Sequence, residues 1–220
     1  VGLLLPVHQP PAGGLIDVAE RHLALFDFDG TLTTRDTMLA FCRHVVGPVR
    51  YGLGLVWLSP MLLGYLLKWV PNDVAKVRML THFLGGRSRA ELAEAARSFA
   101  DRADGWLRPE GLARLRWHLE QGHDVLLVSA SLDLWLTPWA ERHGVRLVCT
   151  EGAFDEADCF TGHLSTPNCH GQAKVDRVRQ VVRLDDYDVV HAYGDSSGDT
   201  EMLAVAQHAH FRPFRGAATG

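Results

Sequence analysis

The chain has 220 residues, 47% hydrophobic and 22% charged, which excludes intrinsic disorder, collagen-like repeats and a disulfide-stapled miniprotein. At roughly 150 residues per domain, this length fits one domain plus an insertion. The 26 acidic and 22 basic residues leave a net charge of −4, which gives no basis for binding nucleic acid.

In chain order, residues 1–21 carry Pro10, Pro11, Gly13 and Gly14 and read as a mobile lead-in. The apolar run there has no basic residues before it, so it does not read as a signal peptide. Residues 22–28 read as a buried strand that stops at Asp-Gly-Thr. A helix over 36–46 follows. Helices over 109–121 and 132–143, with strands over 124–129 and 145–149, continue the alternation. A hairpin is expected within 154–164, a helix over 172–184, a strand over 188–193, a short helix over 198–206 and a further strand within 208–214. Such alternation predicts a Rossmann-like, doubly wound parallel sheet with helices on both faces. The segment 47–108 reads as helical throughout and interrupts the alternation. It divides the chain into an α/β core (22–46 and 109–220) and an inserted all-helical cap (47–108). Four well-separated cysteines and no metal-type histidine spacing fit reduced thiols in the cytoplasm.

The chemistry concentrates in LALFDFDGTLTT, residues 23–34. An apolar strand delivers Asp27 and Asp29 at its C-terminal end, where open α/β sheets bind ligands. Two neighbouring carboxylates repel unless a cation or a proton relieves them. Gly30 permits a tight turn and Thr31 adds a hydroxyl. Further along, Ser129 ends a strand in LLVSAS, Lys174 opens a helix in HGQAKVDRV, and Asp195 and Asp199 follow a strand in AYGDSSGDTEML. Each alone is an ordinary strand end, cap or surface lysine. Their order at the ends of successive elements is not ordinary.

These motifs resemble the haloacid dehalogenase superfamily, and their spacing is similar to the phosphoserine phosphatase subgroup (subfamily IB). The resemblance spans about 23–214. It implies a Mg²⁺-dependent phosphomonoester hydrolase acting on a small phosphorylated metabolite through an aspartyl-phosphate. Asp27 is then the nucleophile and Asp29 the general acid and base. Lys174 balances charge. Gly30, Thr31, Ser129, Ala130 and Lys174 bind phosphate. Mg²⁺ is held by Asp27, Asp29 through its backbone carbonyl, and Asp195, with Asp199 supporting. Dehalogenases of the superfamily lack the second aspartate, so Asp29 points to a phosphatase. Asp36 and Arg78 are the substrate-specificity candidates.

Residues 51–67 are uncharged and strongly apolar, with Pro60 near the middle. Proline breaks or kinks a helix, so a pair of cap helices, buried against each other and over the active-site mouth, is expected. Contact with a membrane surface is the alternative, and it goes with a lipid-phosphate (phosphatidylglycerophosphate-type) phosphatase. An aspartate phospho-acceptor signalling module is the rival from another class.

Overall fold

The computed structural model describes residues 20–215; of the lead-in expected over 1–21, residues 1–19 lie outside them. Five parallel strands form the sheet: β1 (His22–Phe26), β2 (Asp124–Leu132), β3 (Arg146–Thr150), β6 (Val189–Gly194) and β7 (His208–Phe211), in the order β3-β2-β1-β6-β7. An antiparallel hairpin, β4 (Gly152–Phe154) and β5 (Phe160–Leu164), stands apart. The expected α/β core is present. β1 is central because both its faces are apolar. Leu23 and Leu25 pack with Val175, Val178 and Met202 on one side. Ala24 and Phe26 join Leu115, Trp135 and Trp139 on the other. The first set comes from α7 (Gln172–Val181) and α8 (Thr200–Ala204), the second from α5 (Pro109–Glu120) and α6 (Asp133–His143). The period-2 alternation of the strand thus seats one helical layer on each face.

Between β1 and α5 lie α1 (Thr37–Val46), α2 (Pro48–Leu66), α3 (Asn72–Leu84) and α4 (Arg89–Asp104). Helix α4 starts in a capping box, in which Glu91 N donates to Ser88 Oγ and Ser88 N donates to the Glu91 carboxylate. Helix α1 packs on α2, α3 and α4, and its Phe41 stacks on Trp135 and meets Phe99 edge-on. The hairpin closes on α3. Gly162, at φ +82°, has Thr81 where a Cβ would stand.

Residues 51–67 correct the sequence reading twice. Residues 51–66 belong to one helix, α2, which continues through Pro60 and is capped by Leu67. Proline leaves the carbonyl four residues back without its donor. Here that carbonyl is Val56 O, and the Ser59 hydroxyl donates to it at 2.7 Å. Nor is the helix buried. Gly54, Leu58, Met61 and Gly64 form its one buried stripe, and Gly54 admits the Phe83 ring of α3 at close range. Tyr51, Leu55 and Leu62 are half-buried against the core, but other apolar side chains face outward, with Trp57 77% exposed, Leu66 74% and the following Trp69 78%. Among the described residues no single helix is long and apolar enough to cross a membrane. Only α1 and α2 together, bent by 120°, reach that length and composition.

Three smaller differences follow from local chemistry. β2 runs on to Leu132 through an irregularity after Ser129. Helix α7 stops at Val181, where Val182 turns extended. The helix expected over 198–206 is reduced to α8 after a single tight turn at Ser197–Asp199.

Candidate active site

The C-terminal ends of β1, β2 and β6 converge, and a cavity of about 320 Å³ opens over them beneath α1–α3. Asp27 leaves β1 with its backbone N–H donating to Tyr193 O of β6, 2.9 Å. The chain then coils through a wide turn, Phe28–Leu32, in which Gly30 takes φ +83°. Only glycine fits there, because a Cβ would stand 2.5 Å from the Asp195 carboxylate.

Asp27 is buried and doubly held. Lys174 Nζ donates to its Oδ1 at 2.7 Å and Thr31 Oγ1 to its Oδ2 at 2.9 Å. Lys174 also donates to Asp199 Oδ1 at 2.6 Å and to Val128 O at 2.9 Å. Burial raises the Asp27 carboxyl to about 6, against the pull of Lys174. Burial also opposes the charge on Lys174, but Asp27 and Asp199 outweigh it and hold the ammonium above its ordinary range. For Asp199, burial is outweighed by Lys174, and its carboxyl lies below the usual value.

Asp29 turns away from this pair. Its Oδ1 accepts from Thr37 N at 2.7 Å and its Oδ2 from Ser131 Oγ at 2.5 Å. Burial first, and the Asp36 carboxylate second, raise its pKa to about 7.

Carboxylate oxygens of Asp27, Asp195 and Asp199 lie within 4.8 Å of one another. One buried lysine serves two of them, while the exposed Arg215 pairs with Asp195 at 2.5 Å. An all-oxygen donor set with excess negative charge suits a hard divalent cation. Mg²⁺ therefore fits these residues. The Asp29 side chain is outside this set, which leaves its backbone carbonyl as the contribution the family resemblance implies.

The expected residues divide as follows. Asp27, Asp29, Asp36, Ser129, Ala130, Lys174 and Asp199 all line the cavity. Gly30, Thr31 and Asp195 pack on one another and do not line it. The Asp36 side chain caps α1 by accepting from Leu39 N at 3.0 Å. Arg78 is a correction: it is exposed and faces a different groove, beside Trp57 and His82. Two residues along a helix are about 200° apart, so the cavity face of α3 belongs to Lys76.

Lys76, Ser131, Thr37 and Asn168 went unread in the sequence. Lys76 is buried and donates to Ala130 O at 2.5 Å and to Asn168 Oδ1 at 2.7 Å. Burial lowers its pKa to about 8. A signal existed, since Lys76 shares an apolar helical stripe with Met79, Leu80 and Phe83. A lysine on such a stripe requires a polar destination.

The haloacid dehalogenase-like hydrolase family model matches residues 24–204. The chain is 37% identical to the protein CicA of Caulobacter vibrioides over 196 residues, covering 88% of this chain and 87% of that protein. It is 26% identical to a protein of Mycobacterium tuberculosis named "probable phosphatase", covering 86% of this chain and 68% of that one. Its fold is similar to that of a phosphoserine phosphatase solved as a phospho-aspartyl intermediate analogue, with a TM-score of 0.61 at 15% identity over 85% and 84% of the two chains. With the buried Asp27–Lys174–Asp199 constellation at the strand ends and a family model that runs from the middle of β1 to the end of α8, this chain belongs to the haloacid dehalogenase-like hydrolases.

Proposed function

We propose that this enzyme is a Mg²⁺-dependent phosphomonoester hydrolase that works through an aspartyl-phosphate on Asp27. It is a phosphatase of its family, and we assign it a small phosphorylated metabolite as substrate and the cytoplasm as its location. One observation carries the reading. The buried, lysine-paired Asp27 and the protonatable Asp29 open into one cavity. An Asp27 oxygen attacks phosphorus, and the bond from phosphorus to the ester oxygen breaks. Asp29 gives its proton to the leaving alkoxide. Asp29 then takes a proton from water as the water oxygen attacks the same phosphorus, which releases phosphate and restores Asp27. Ser129 and the Ala130 backbone seat the phosphoryl oxygens, Gly30 and Thr31 shape the turn behind Asp27, and Lys174 balances their charge. Asp27, the Asp29 carbonyl and Asp195, with Asp199 supporting, would hold Mg²⁺, which when bound supplies positive charge against the phosphate dianion. We also propose the division into a core (22–46 and 109–220) and a helical cap (47–108). The packing of α1 on α2–α4 argues for moving that boundary to about residue 36.

Chelation should abolish phosphate release and Mg²⁺ should restore it. Asp27→Asn keeps the shape but loses the attacking anion, so neither turnover nor labelled phosphoenzyme is expected. Substantial turnover in Asp27→Asn would overturn the assignment.

A second reading rests on the outward apolar side of α2, because Leu62 and Tyr65 of the same helix line the catalytic cavity. A lipid phosphate resting on that side would bring its headgroup to Asp27. Preference for detergent-dispersed lipid phosphate over phosphoserine selects this substrate, and the reverse preference discards it.

A further inference from the structure

Histidines gather on the face of the sheet that α5 covers, toward the strands' N-terminal ends. His22 opens β1, His191 lies on β6, His208 on β7, and His123 sits in the loop entering β2. The register pairs Ala24 with His191 and His191 with His208. Side chains two apart on a strand share a face, so His22, His191 and His208 form one row across three strands. His22 is five residues before Asp27 and His191 is level with Ala24, three before it, which puts the row about 10–16 Å from the catalytic end of the sheet.

We propose that His22, His123 and His191 form a binding site for a first-row transition-metal cation of the Zn²⁺ type. One ring nitrogen from each of the three lies within 4.8 Å of the others. His22 Nδ1 and His191 Nε2 are 3.2 Å apart. Two nitrogens on a tetrahedral Zn²⁺, each about 2.0–2.1 Å from the metal, stand about 3.3 Å from each other. The other nitrogen of His22, Nε2, lies 3.3 Å from Glu20 Oε2. A carboxylate on the far nitrogen is the arrangement that fixes the tautomer of a metal-bound histidine. His123 is oriented too: its Nδ1 lies 2.8 Å from His118 Nδ1, and the other nitrogen of His118 lies 3.0 Å from the Tyr193 hydroxyl. All three rings are half-buried, and His22 stacks on His123 with ring centroids 4.3 Å apart, so a shared cation binds as these rings turn out of the stack to aim one nitrogen each at it. Imidazole donors select against Mg²⁺, which prefers oxygen. The occupied site would tie the start of β1 to β6 and to the α5–β2 loop.

The test is calorimetric titration of ZnCl₂ into the tag-free, chelator-treated full chain, with excess Mg²⁺ present to occupy the carboxylate site. One equivalent should bind, and it should raise the melting temperature. His22→Gln, His123→Gln and His191→Gln should each abolish that binding, and Glu20→Gln should weaken it about tenfold. Asp27→Asn should leave it unchanged. Circular dichroism identifies any variant that fails to fold, and His22, at a strand end beside solvent, is the substitution the fold should best withstand. Absence of binding, binding indifferent to the histidine substitutions, or binding lost in Asp27→Asn would each overturn the proposal.

Discussion

Lys76 shows what a single buried charge does here. It reaches from α3 to Ala130 O, in the end of β2 that the proposed mechanism uses for phosphate. An ammonium at that position draws a phosphate ester into the cavity while it is charged. With its pKa lowered to about 8 by burial, it is cationic below that pH and neutral above it. KM for a phosphate ester should therefore rise as pH passes upward through about 8. Lys76→Gln should have a raised KM at pH 7 and lack that rise, while kcat changes less. A pH series of initial rates on both proteins measures this, and an unaltered KM in the variant would remove Lys76 from substrate binding. Arg78, exposed on another face of α3, should be replaceable by Ala with KM unchanged.

Among the elements, α2 departs most from expectation. It meets α3 through a narrow stripe that depends on missing side chains. A Cβ at Gly54 would come within 2.4 Å of the Phe83 ring. Gly54→Leu should therefore separate α2 from α3 and cost about 1–3 kcal/mol by overpacking, read as a lower midpoint in urea unfolding. Leu63 is on the other side of the same helix and 57% exposed. Leu63→Asp should shift stability by no more than about 0.5 kcal/mol. A large loss in Leu63→Asp would mean that α2 buries its outer face after all.

At the scale of the whole molecule, the helical layer and the α/β core share side chains. Phe41 of α1 stacks on Trp135 of α6, with ring centroids 5.1 Å apart, and meets Phe99 of α4 edge-on at 5.2 Å. The Trp135 indole N–H donates to Thr37 Oγ1 at 3.0 Å, and Thr37 N donates to Asp29. A fully buried Phe→Ala change typically costs about 3–5 kcal/mol. Phe41→Ala should lower the unfolding midpoint by that order while keeping one transition, because the lost contacts lie on both sides of the junction. Tryptophan fluorescence and far-ultraviolet circular dichroism should report the same midpoint. Two separate transitions in the parent protein would show that the layer and the core unfold independently.

Much of the core was legible in the sequence because its signals are local. A buried parallel strand is a short apolar run. The residue that follows it stands at the ligand-binding edge, so Asp27 and Asp195 could be placed from the strands, while Ser129, Lys174 and Asp199 were placed by the resemblance to a known family. Asp29 and Asp36 were legible for the same reason, since they follow Asp27 within one turn and one cap. What needed the tertiary structure was whatever depends on which face meets which partner. Lys76 and Arg78 differ by two positions on one helix, and only packing decides which of them enters the cavity. Pro60 looked like a break, but a hydroxyl one residue earlier takes up the orphaned carbonyl. The apolar run of α2 has no strong helical period, so nothing in its composition could say that only four of its residues would be fully buried. The convergence of His22, His123 and His191 joins positions as many as 169 residues apart, and sequence spacing carries no trace of it because the contact exists only once β1, β2 and β6 lie side by side.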